Sequence, residues 1–135
     1  MRPFKYALAA LFAFAPLAQA QTVHVTPDRA RVFPLSDGSF EVAPPRGQVL
    51  DGYWCAAADY ARRGLGAGWG QDIYVARGLG DGVAINRTST VIFTLTPVPS
   101  DKPDRFITRT NAFHVGDRLN VQEADHKCSI VRRRF

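Results

Sequence analysis

The chain has 135 residues, of which 46% are hydrophobic, and a formal net charge of +5. This length allows one compact domain and excludes a second domain of ordinary size. The basic excess is moderate and most of the basic residues are scattered along the chain, so the composition does not favour a nucleic-acid partner.

The N-terminus has the three parts of an export signal. Two basic residues precede an apolar stretch at residues 7–14, and a small-x-small cleavage pattern ends at Ala20. The sequence therefore predicts a cleaved signal peptide over residues 1–20 and a single exported domain over residues 21–135, in the periplasm or the medium. The apolar stretch is too short to remain as a membrane anchor, so we expect no transmembrane segment in the mature chain.

Two short strands are predicted before the first helix. Residues 22–26 and 39–43 alternate polar and apolar side chains, which is the period of a half-buried strand. The helix that follows begins at Asp51, a residue type that caps helix N-termini, and ends at Gly64.

A glycine-rich connection at residues 64–70 follows this helix and leads into a strand at residues 73–76. A phosphate-binding loop has the opposite order, strand then helix, so we interpret the segment as a flexible connection. Its Trp69 either packs back on the core or is exposed for contact.

Further strands are predicted at residues 83–85 after a turn at residues 78–82, and at residues 90–96, where Val91, Phe93 and Leu95 share one face. Weaker strand patterns follow at residues 105–108 and 112–115.

A second helix is indicated by Asn120 with Glu123 three residues later, the pattern of a capping box. Val121, Ala124 and Cys128 then lie on one apolar face. Cys55, in the first helix, is the other cysteine of the chain. In an oxidising compartment the expected state is a Cys55–Cys128 disulfide, and the alternatives are two free thiols or an intermolecular bridge.

The histidines His24, His114 and His126 are not spaced as metal ligands. No nucleophile motif of a serine hydrolase is present either. We therefore predict no catalytic residue, no cofactor and no metal site.

A basic run, Arg132, Arg133 and Arg134, ends the chain before Phe135. If extended, the run forms an edge strand whose charges discourage pairing with other chains. The alternative is a site for an anionic envelope polymer or lipid.

Three runs resemble a group of small exported proteins of alphaproteobacteria. They are Y-W-C-A-A-A-D-Y-A at residues 53–61, I-Y-V-A-R-G-L-G at residues 73–80 and F-T-L-T-P at residues 93–97, together with the late Cys128. The resemblance implies a periplasmic or secreted location and no particular activity.

The pattern of elements predicts an α+β fold, a mostly antiparallel sheet of five to seven short strands with two short helices and one disulfide. The function we expect is a non-enzymatic structural or binding module of unknown partner. The alternative is a small hydrolase of envelope polymers that uses His114 or His126 with a nearby carboxylate.

Overall fold

The computed structural model describes residues 22–47, 49–100 and 113–133. The predicted signal peptide, the predicted strand at residues 105–108 and Arg134 lie outside them. Among the described residues, no helix is long and apolar enough to cross a membrane.

Six strands and two helices make up the described fold. The strands are β1 His24–Val25, β2 Arg31–Pro34, β3 Phe40–Ala43, β4 Asp72–Gly80, β5 Thr90–Thr94 and β6 Arg118–Asn120, and the helices are α1 Asp51–Arg63 and α2 Val121–Arg133. All strand pairs are antiparallel, in the order β1-β2-β3-β5-β4-β6. The predicted α+β class is confirmed.

The core lies between one face of the sheet and α1. Strand alternation directs Phe40 and Phe93 to this face, and the ring of Trp54 on α1 lies 4.9 Å from that of Phe93. The alanines of α1 allow the helix to approach the sheet closely, because they add little bulk between the aromatic residues.

The predicted disulfide is present. Cys55 and Cys128 are bonded, with their Cα atoms 4.8 Å apart, and both side chains are buried. The bond joins α1 to α2 across 73 residues of sequence, and α2 packs mainly against α1.

The start of α2 has the capping box that the sequence predicts. The Glu123 amide donates to Asn120 Oδ1 at 2.8 Å, and the Asn120 amide donates to Glu123 Oε2 at 3.1 Å. The prediction of an extended C-terminal strand is wrong, because α2 continues to Arg133. Val131 follows Cys128 by three residues and is also buried, so the apolar stripe favours another helical turn.

The start of α1 and the course of β4 also differ from expectation. Leu50, not Asp51, occupies the N-cap, and the Asp51 carboxylate lies 3.4 Å from Lys127 Nζ on α2. β4 continues through the predicted turn as far as Gly80 because β5 pairs with it there. Residues 83–85 form no strand, and neither do residues 113–115, the described part of the strand predicted at residues 112–115. β2 and β6 are strands that the sequence pattern does not predict.

Removal of the disulfide by Cys55→Ala with Cys128→Ala should lower the free energy of unfolding by roughly 4 kcal/mol, because the unfolded chain gains the entropy of a loop of this length. Urea denaturation measures the change. Reductant should destabilise the original protein and leave the double variant unaffected; equal stability of the two proteins would contradict the prediction.

Candidate functional site

Arg29 lies in the hairpin turn between β1 and β2 with a positive φ of 64°. The Arg29 amide donates to the Thr26 carbonyl at 2.9 Å, and the Thr26 amide donates to the Ala30 carbonyl at 2.9 Å. Pro27 and Asp28 are ordinary turn residues, but the left-handed position that follows them usually holds glycine. Arg29 therefore carries a conformational cost that a glycine would avoid.

Three further arginines approach the same region. Arg31 starts β2 on the face opposite α1, Arg46 follows Pro44 and Pro45 after β3, and Arg87 belongs to the loop between β4 and β5. These residues come from separate parts of the chain, so their proximity is a property of the sheet order.

A buried carboxylate holds the loop that carries Arg87. Glu41 on β3 is completely buried, and its two oxygens accept hydrogen bonds from the amides of Val83, at 2.7 Å, and Ala84, at 3.1 Å. Glu41 lies on the polar side of the alternating strand at residues 39–43, and it is buried because this loop covers the face of the sheet opposite α1.

Arg77 on β4 holds the base of the same loop. Its guanidinium donates to the Asp81 carbonyl, and to the Thr90 carbonyl at 2.8 Å and Thr90 Oγ1 at 2.6 Å. Because the loop is bonded both near its tip and at its base, its arginine is presented from an ordered backbone.

We name the resulting space the arginine cleft, an opening of about 330 Å³ whose walls include Arg29, Arg31, Arg46 and Arg87. Within the described part of the chain, no carboxylate lies at ion-pair distance from any of these four guanidinium groups. Arg31 is 5.8 Å from the ring of Phe33, and Arg87 Nε lies 3.4 Å from Ser89 Oγ. The cleft therefore concentrates positive charge without a described internal counter-ion.

A second opening, of about 390 Å³, shares Arg29, Pro45 and Arg46 with the arginine cleft. We name it the proline cleft, because Pro27 and Pro45 form two of its walls. Arg132 lines it and lies 3.8 Å from Asp28.

The three arginines of the basic run do not form one site among the described residues. Arg132 lies at the proline cleft, Arg133 is exposed in the last turn of α2, and Arg134 lies outside the described residues. Both described arginines also lie at the negative end of the α2 dipole, which favours cations there.

Asp28 and the two bonded cysteines place a carboxylate oxygen and two sulfurs within 4.8 Å of one another. One Asp28 oxygen lies 3.3 Å from Cys55 Sγ. A disulfide sulfur has neither a proton to donate nor the thiolate charge that binds metal ions, so the contact is neither a hydrogen bond nor a metal site while the bond is intact.

The imidazole of His24 contacts a carboxylate. Its Nε2 lies 2.8 Å from Asp59 Oδ2, which ties β1 to α1, and its ring contacts that of Tyr60 edge-on. Burial raises the pKa of the Tyr60 hydroxyl above its ordinary value, so this group is neutral at pH 7. His126 is exposed. The backbone amide of His114 donates to Asp117 Oδ2 at 3.1 Å, and its buried Nε2 has no hydrogen-bond partner among the described residues.

Comparison of the chain with family models, with curated proteins and with solved structures finds no match. The resemblance to small exported alphaproteobacterial proteins stays a prediction.

Replacement of Arg29 by glycine tests whether this residue serves stability. Arg29→Gly should leave the free energy of unfolding equal or raise it by up to about 1 kcal/mol, because relief of the left-handed strain is partly offset by the entropy of the unfolded glycine. Arg31→Gly, in a strand with ordinary geometry, is the control and should lose about 1 kcal/mol. A large loss for Arg29→Gly in urea denaturation would show that Arg29 is a packing residue.

Replacement of Glu41 tests whether its hydrogen bonds to the Val83 and Ala84 amides hold the loop. Glu41→Gln keeps the size of the side chain but turns a donating amide group toward a backbone amide, so the free energy of unfolding should fall by roughly 2 kcal/mol. Glu123→Gln is the matched control, because glutamine still accepts in a capping box and the loss should stay below about 0.5 kcal/mol. Equal losses for the two variants would contradict the role given to Glu41.

Proposed function

We propose that this chain is an exported, non-enzymatic binding module that holds a phosphate or carboxylate group of an envelope component in the arginine cleft. The observation that carries the proposal is the convergence of four arginines on one opening of about 330 Å³. Gathering like charges costs Coulomb energy, which an anion between them offsets.

The chemistry of the lining residues supports an anion of this kind. A guanidinium group presents a planar fork of donors that matches the oxygens of phosphate and carboxylate, often in pairs. The loop of Arg87 is anchored by Glu41 and Arg77, so less ordering entropy is lost on binding than with a free loop.

Export is part of the proposal. The disulfide is consistent with an oxidising compartment outside the cytoplasm. The tripartite pattern of residues 1–20 supports the same location. The proposal includes cleavage of the signal peptide after Ala20.

The hydrolase alternative involves a different region. The described imidazole that contacts a carboxylate is that of His24, at Asp59, whereas the Asp117 carboxylate accepts from the backbone amide of His114. Neither His114 nor His126 lines the arginine cleft or the proline cleft. Among the described residues, His24 hydrogen-bonds only this carboxylate and no hydroxyl or thiol. We therefore favour binding over hydrolysis.

Retention on a phosphate-bearing matrix tests the proposal, with a carboxylate matrix in parallel to separate the two anion chemistries. Arg31→Gln with Arg87→Gln should elute at clearly lower salt, because each lost charge-assisted contact costs roughly tenfold in affinity. High salt should abolish the difference.

The control removes the same charge elsewhere. Arg63 and Arg118 are exposed and line neither cleft, so Arg63→Gln with Arg118→Gln should elute close to the original protein. Earlier elution of both double variants by the same amount would indicate net charge alone and would contradict a cleft site. Replacement of Arg132, Arg133 and Arg134 by serine should have a smaller effect than the cleft variant.

A further inference from the structure

The proline cleft differs in chemistry from the arginine cleft that it adjoins. The rings of Pro27 and Pro45 are rigid and apolar, and a proline has no amide hydrogen to be left unpaired when covered. Arg29 and Arg46 line both clefts. An arginine can cover apolar surface with its methylene stem while its guanidinium group binds an anion.

The far wall of the proline cleft is unsuited to a second anion. The Asp28 carboxylate is partly buried there and lies 3.8 Å from an Arg132 nitrogen, so this positive charge already faces a negative one. A ligand that spans both clefts would therefore place its charged group among the arginines and an uncharged, apolar group beside the prolines.

We propose that the ligand is an anionic amphiphile of the lipid class, one molecule whose phosphate or carboxylate lies in the arginine cleft and whose apolar chain lies across Pro27 and Pro45. This inference rests on the proposed function and adds the class of ligand to it. Charge complementarity orients the head group, and removal of the chain from water adds affinity.

The gain in affinity with chain length follows from the free-energy cost of exposing methylene groups to water. Full burial of one methylene corresponds to almost a fourfold gain in affinity. Pro27 is exposed, so a chain beside it stays partly in water and roughly a twofold gain per methylene is expected. The gain should stop once the chain extends beyond the cleft.

Titration calorimetry with monoalkyl phosphates, from methyl to octyl and below their micelle-forming concentrations, measures this dependence. The dissociation constant should fall by roughly twofold for each of the first few methylenes. Equal affinity for methyl and octyl phosphate would overturn the amphiphile and leave the proposed function standing. Failure to bind by every alkyl phosphate, and by alkyl carboxylates of the same lengths titrated in parallel, would overturn both.

Variants assign the chain-length dependence to the proline cleft. Pro27→Ser should reduce the gain in affinity per methylene while methyl phosphate binds as before, because Pro27 lines only the proline cleft. Pro45→Ser should reduce the same gain per methylene, measured as the ratio of octyl to methyl phosphate affinity because Pro45 lines both clefts. Pro97→Ser is the matched control, because Pro97 is exposed and lines neither cleft. Arg31→Gln with Arg87→Gln should weaken methyl and octyl phosphate by the same factor. A chain-length dependence that neither cleft proline affects would place the apolar group elsewhere and contradict the proposal.

Discussion

The Cys55–Cys128 bond is the constraint on which the arrangement of the helices depends. α2 packs mainly against α1 and contacts the sheet through the short β6, so the covalent link does much to determine where its C-terminal turn lies. That turn brings Arg132 to Asp28 in the first hairpin. One wall of the proline cleft therefore depends on the disulfide between α1 and α2. The loop that carries Arg87 lies on the other face of the sheet.

The two faces of the sheet are covered in different ways. One is filled by the aromatic and alanine side chains of α1, which need only suitable size and apolarity. The other is covered by a loop, which Glu41 and Arg77 hold through hydrogen bonds to backbone groups. A buried charge is costly unless its hydrogen-bond partners are correctly placed. These hydrogen bonds therefore allow one position of the loop, whereas apolar contacts would allow several. The arginine cleft owes its preformed wall to this difference.

Most of the fold could be predicted from local patterns. The capping box at Asn120, the stripe that ends in Cys128 and the alternation at Val91 and Phe93 depend on neighbouring residues, and all appear in the structure. β2 was missed because a strand of four residues with one buried side chain and a terminal proline has little local signal, and its order comes from pairing with β1 and β3.

The candidate site was not predictable in the same way. By itself the sequence determined the number of arginines, the two cysteines and the residues suited to turns and caps, because these properties are local or compositional. The tertiary structure decided that Arg29, Arg31, Arg46 and Arg87 share a cleft and that Glu41 is buried. Both outcomes depend on which strands are neighbours and on where one loop crosses the sheet, and such contacts between distant parts of the chain leave no periodic trace in the sequence.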